Sequence, residues 1–148
     1  MVSLTLEVKG LNETLAALVT TIKKKQIIAE KATHAAGLEY QRDVQKLAPV
    51  LTGQYRGSIH VQPGQGAYLD FNGSPYVLVG TDLPQAKRLE FGFFDMTDRL
   101  GRHFYQRPRP HFRPPLDLNL EKYKAIMKGE FDRDVSYENY TSLLPGVF

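Results

Sequence analysis

The chain contains no cysteine. That excludes disulfides and thiolate metal sites, and it accords with folding in a reducing compartment. No apolar run approaches the ~18 residues that span a bilayer. The opening MVSLTLEVKG is broken by Glu7 and Lys9, unlike the continuous apolar core of a signal peptide. The chain is therefore expected to be soluble and unexported, with no membrane partner.

Histidine is scarce: His34, His60, His103 and His111 are the only imidazoles, and none stands in an HExxH-like spacing. His103 and His111 are read as polar residues of one loop rather than as a two-histidine site. No GxxxxGK[ST] phosphate loop occurs, and Ser58 and Ser74 lack a GxSxG setting. The carboxylate pairs Asp95/Asp98 and Asp132/Asp134 lie in polar segments, so they are read as solvated rather than as an acid and base. No catalysis, metal or cofactor is expected. Internal repeats and low-complexity tracts are absent as well.

What is present fits one folded unit. At 148 residues, 42% hydrophobic and 24% charged, the chain has the size and composition of one globular domain. Formal charge is +3, but Arg99, Arg102, Arg107, Arg109 and Arg113 alone contribute +5, leaving −2 for the remainder. The basicity is local, and residues 89–121 hold no lysine.

Periodicity supplies the elements. Val2, Leu4, Leu6 and Val8 alternate with polar residues, which predicts a strand ended by Gly10. Asn12 reads as the N-cap of a short amphipathic helix carrying Leu15, Leu18, Val19 and Ile22. Lys23–Lys25 read as a solvated corner, after which Ile28, Ala32, Ala36, Tyr40, Val44 and Leu47 mark a helix of about six turns closed by Pro49. Alternation predicts a strand over 55–62 and a turn at 63–66. A hairpin about Asn72-Gly73 and a helix from Pro84 to Gly92 follow. Residues 99–113 read as a loop broken by Gly101, Pro108 and Pro110. A last helix carries Leu116, Leu120, Tyr123, Met127 and Phe131. The expected fold is α+β: an antiparallel meander with a long helix and shorter helices on one face, an extended loop, one domain over 1–131 and a C-terminal arm over 132–148.

Three stretches in series carry a resemblance. APVLTGQYRGSI (48–59), YVLVGTDLPQAKRLEFGF (76–93) and RPHFRPPLD (109–117) are similar to the APvxTGxLrxSI, YaxxvEFGt and rPFlrPAl elements of neck and tail-completion proteins of long-tailed bacteriophages. The matched positions are Pro49, Thr52, Gly53, Arg56, Ser58 and Ile59, then Tyr76, Glu90, Phe91 and Gly92, then Pro110, Phe112, Arg113 and Pro114. Tyr55 stands where an aliphatic residue is usual, Phe93 replaces a small or hydroxyl residue, and His111 separates Pro110 from Phe112.

The resemblance implies a virion structural protein made in the bacterial host. Its expected form is a homo-oligomeric ring, a hexamer, at the head-proximal end of the tail, contacting connector, neck and tail-tube proteins. It implies no enzyme activity. On this reading the matched residues are scaffold, with Phe91 and Phe112 in the core and Arg56 paired with Glu90. Arg99, Arg102, His103, Phe104, Tyr105, Arg107 and Arg109 form the candidate subunit-interface loop. DNA in the ring lumen is the second contact considered, and a nucleic-acid-binding module using 99–113 is the alternative function, since arginines grip phosphate and aromatic rings stack on bases.

Overall fold

The computed structural model describes residues 10–50, 52–62 and 67–143. The expected strand at 2–8 and turn at 63–66 lie outside them. The fold is α+β. Helix α1 spans Leu11–Leu47 and α2 Gln54–Gly57. Four short strands follow, β1 (His60–Gln62), β2 (Tyr68–Leu69), β3 (Pro75–Tyr76) and β4 (Leu78–Gly80). Helix α3 (Gln85–Phe91) then leads into β5 (Phe93–Thr97), β6 (His103–Gln106) and the long helix α4 (Arg113–Leu143).

Helix α1 is unbroken where a corner at Lys23–Lys25 was expected. Lysine is a good helix former, and no glycine or proline interrupts residues 11–36, so nothing in the backbone stops propagation. Gly10, at φ 82°, precedes the first turn in place of the expected Asn12 cap. The helix stops at Leu47, and Ala48 takes an extended conformation before Pro49.

Residues 54–57 form a helical turn instead of the start of a strand. Gly53 at φ 81° reverses the chain into it, and the Ser58 hydroxyl donates to the Tyr55 carbonyl at 2.7 Å, closing the turn. Tyr55 and Ile59 then face the same core, and Gln41 and Gln45 of α1 both donate to the Ile59 carbonyl, at 2.7 and 3.0 Å.

The expected single meander is three separate two-stranded antiparallel ladders: β1 with β4, β2 with β3, and β5 with β6. The Asn72-Gly73 hairpin is present as β2–β3. Its turn is held by the Asp70 carboxylate, which accepts the N–H groups of Asn72 and Ser74 at 2.9 and 2.7 Å. Residues 93–106 form a second hairpin where an open loop was expected. There the Asp98 carboxylate accepts the N–H groups of Leu100 and Arg102, both at 2.9 Å, and Gly101 turns at φ 76°.

The core lies where α1 meets these pieces. Val44, Ala48, Tyr55 and Ile59 are buried together, flanked by Tyr40, Val79, Leu89 and Phe112. Burying a side chain such as Ile59 stabilises the fold by roughly 1.5–3 kcal/mol. Gly37 marks a close approach, since a Cβ there would lie 2.6 Å from Val77.

Helix α4 runs antiparallel to α1, with Asn119 beside Asp43 and Met127 and Phe131 beside Ala29 and Ala32. It kinks at Asn119 and continues through residue 132. Among the described residues nothing gives the first turns of α1 such cover: residues 12–25 are exposed, Leu15, Leu18, Val19 and Ile22 included.

Candidate functional site

The three sequence elements converge on one buried junction. Glu90, near the end of α3, points at the start of α4 and accepts three backbone N–H groups: His111 at 2.8 Å, Phe112 at 3.2 Å and Arg113 at 3.2 Å. Burial pushes its carboxyl up, but those three bonds outweigh burial and the net shift is downward. A carboxylate fixed at the N-terminus of α4 also suits that helix's dipole. Pro114 and Pro115 sit in the first turn, where a missing N–H leaves no helical bond unmade.

His111 is fully buried and completes the junction. Its Nδ1 faces the Arg109 carbonyl at 2.8 Å, an acceptor only, so Nδ1 carries the hydrogen. Nε2 in turn accepts from the Tyr55 hydroxyl at 2.6 Å. Burial, with the Glu90 charge adding to it, pushes the Tyr55 hydroxyl up to about 12, so it stays protonated as a donor.

Gly92 locks the other side. At φ 67° it lies so close to β6 that a Cβ would stand 2.6 Å from the Gln106 carbonyl oxygen and 2.7 Å from the Pro108 nitrogen. A side chain is excluded there both by conformation and by space.

These contacts correct two expectations. Arg56 is exposed and makes no ion pair among the described residues, because Glu90 is occupied by backbone donors. Phe91 is 73% exposed, so it is not core, whereas Phe112 does pack against the buried cluster. Among the other matched positions, Ser58 bonds the Thr81 hydroxyl at 2.6 Å, and Pro49 and Thr52 line a cleft of about 630 Å³ together with Arg109 of the basic segment. Pro110 and Arg113 are exposed. Tyr55 and His111 were missed as a pair. The signal available was that each departs from the family pattern within its element.

Through Gln106 the basic segment belongs to the exposed β5–β6 hairpin, and residues 107–112 are a loop as expected. Arg99, Arg102, His103, Phe104, Tyr105, Arg107 and Arg109 all face solvent, with Phe94 packed on Tyr105 at 5.1 Å and Arg102 over Phe104 at 5.8 Å. Acids temper its charge: Arg102 pairs with Asp98 at 2.7 Å, and His103 contacts Asp95, which sits at φ 56° in an irregularity of β5. Asp98 is held below the usual carboxylate range, first by the Arg102 N–H. His103 and His111 thus sit in different surroundings.

Among the described residues no three His, Asp or Glu side chains cluster as metal ligands, and no helix is long and apolar enough to cross a membrane. No curated protein and no solved structure matches the chain. A family model described as "Bacteriophage HK97-gp10, putative tail-component" matches residues 9–92, more than half of the chain. The matched span takes in α1, the Thr52-Gly53 turn and the Glu90-Phe91-Gly92 element, and so holds one half of the Glu90–His111 junction. The chain belongs to this family of bacteriophage tail components.

Proposed function

We propose that this tail component is a non-catalytic ring subunit. Six copies close a homo-oligomer at the head-proximal end of the tail, completing it and joining it to the connector and neck proteins above and the tail tube below. It is made in the host cytoplasm and carried in the virion. Residues 1–131 are the ring-forming domain, and 132–148 an arm whose first part extends α4.

The observation that carries this reading is the β5–β6 hairpin. It presents Phe94, Leu100, Phe104 and Tyr105 to solvent among arginines, with no enclosing core of its own. Arginine and aromatic residues are enriched in protein interfaces, whereas lysine is depleted, and this segment has none. The Glu90–His111 junction ties the start of α4 to α3 and to the core.

Native mass spectrometry and negative-stain imaging of the purified chain, alone and with its neighbouring tail proteins, test the reading. A closed assembly is expected; a monomer under every condition overturns it. DNA binding is the competing reading. Arg102 is already paired, so Arg99 in the hairpin and Arg107 and Arg109 in the loop after it remain as unpaired arginines among the described residues. A duplex-binding segment using these three would give a log–log salt slope of about −2.7. No binding at low salt is the expected result.

A further inference from the structure

Phe71 is fully exposed at the tip of the β2–β3 hairpin and is not a product of a loose loop. The Asp70 carboxylate and the Gly73 N–H to Asp70 carbonyl bond, at 3.0 Å, fix the turn that carries it. Tyr68 and Tyr76 brace the stem with ring centroids 5.6 Å apart. An aromatic side chain held out on a rigid turn is set for insertion, because little order is lost on binding.

A groove of about 610 Å³ lies elsewhere on the chain, between α3 and α4. Its lining is largely apolar, with Tyr40, Val79, Ala86, Phe91, Phe112 and Leu116. Phe91 is the motif residue that the core leaves unused. The two surfaces are separate along α1: Pro75, at the hairpin's base, sits by Ala29 and Ala32, while the groove sits by Tyr40. At 1.5 Å per residue that is roughly 12–17 Å of helix.

Charge matches the two. Asp70 is the only formal charge between Ala67 and Thr81. The groove holds Lys87, Arg113, Glu90 and Asp117, but Arg113 pairs with Asp117 at 3.3 Å and Glu90 is bound by backbone donors. Lys87 is left with no carboxylate partner among the described residues.

We infer that Phe71 of one copy seats in the α3–α4 groove of a second copy, with Asp70 meeting Lys87 at the rim. The contact rests on the ring reading above and names its two complementary faces. Because tip and groove are different patches, each copy offers one to each neighbour, and repetition closes a ring or extends a filament. A buried phenylalanine covers about 150–250 Å², a fraction of the ~800 Å² per partner of a standard interface, so Phe71 is the anchor rather than the whole contact.

The test uses the full chain. Phe71→Asp is expected to weaken self-association at least tenfold with thermal unfolding of the monomer unchanged, since the side chain is solvent-exposed. Because the chain has no cysteine, Phe71→Cys and Leu116→Cys chains can be mixed under mild oxidation, and a mixed disulfide dimer exceeding either homodimer is expected. Assembly that survives Phe71→Asp, or a dominant disulfide between two Phe71→Cys chains, overturns the inference and leaves the ring reading standing. So does a Phe71→Asp chain that still self-assembles but no longer captures a neighbouring tail protein, which assigns the tip to that partner. A wild-type chain that never assembles removes both.

Discussion

Tyr55 and His111 each depart from the pattern of the tail-completion elements, and they meet at 2.6 Å in the core. A phenol or an imidazole nitrogen buried alone is costly, but the pair satisfies both. Removing one member should therefore be worse than the loss of a single hydrogen bond. Tyr55→Phe, which keeps the ring and strands Nε2, is expected to cost about 1–3 kcal/mol in denaturant unfolding. A loss too small to measure would mean that Nε2 finds another partner. Neither residue was legible as a partner of the other in sequence, because seven elements, β1 to β6 and α3, lie between them. Glu90 was legible as a fixed position, yet its partner was misassigned to Arg56: the backbone N–H groups that bind it are the same whatever residues carry them.

Helices α1 and α4 are joined at the Asp43 carboxylate. Asp43 accepts from Lys46 at 2.8 Å, from Lys122 at 3.0 Å and from the Tyr123 hydroxyl at 3.0 Å. The Lys46 hydrogen bond leads in holding its carboxyl at about 2, against burial, with Lys122 and Tyr123 adding to it. A carboxyl lowered in the folded state binds its proton more readily when unfolded. Its contribution is therefore complete above pH ~4, the ordinary carboxylate value, and fades as pH falls through about 2. Urea unfolding of wild type and Asp43→Asn across that range checks this: the variant should start less stable and lose less as pH falls. Glu39, lowered first by its Lys122 hydrogen bond, adds to the wild-type loss.

Long helices with apolar stripes were legible at this scale, as was the Asn-Gly hairpin. The β5–β6 hairpin was not, since the irregularity at Asp95 breaks the alternation that marks a strand. Its turn did carry a signal, an Asp three residues before a Gly. The helical turn at 54–57 was hidden because Tyr55 and Ile59, four apart, satisfy strand alternation and a helical face equally.

At the scale of the molecule, much apolar surface among the described residues is left uncovered, and their fully buried set is small. Helix α1 extends this imbalance. Its exposed residues 12–25 make a stretch of about the length at which an isolated helix is marginal in water. Among the described residues of α1, the first buried side chain is Ile28. Limited trypsin digestion of the free chain should therefore cut first at Lys23–Lys25, ahead of the arginines of the β5–β6 hairpin, with the fragments read by mass spectrometry. A first cut within 99–109 would show that the hairpin opens more easily than the overhanging helix.

The overhang also gives the chain a chemical footprint. Three consecutive lysines lie just past the bare apolar stripe, so their rate of cleavage or acylation follows whatever comes to lie across that helix. A rate that falls stepwise as each purified virion protein is added would give the order in which the tail is put together.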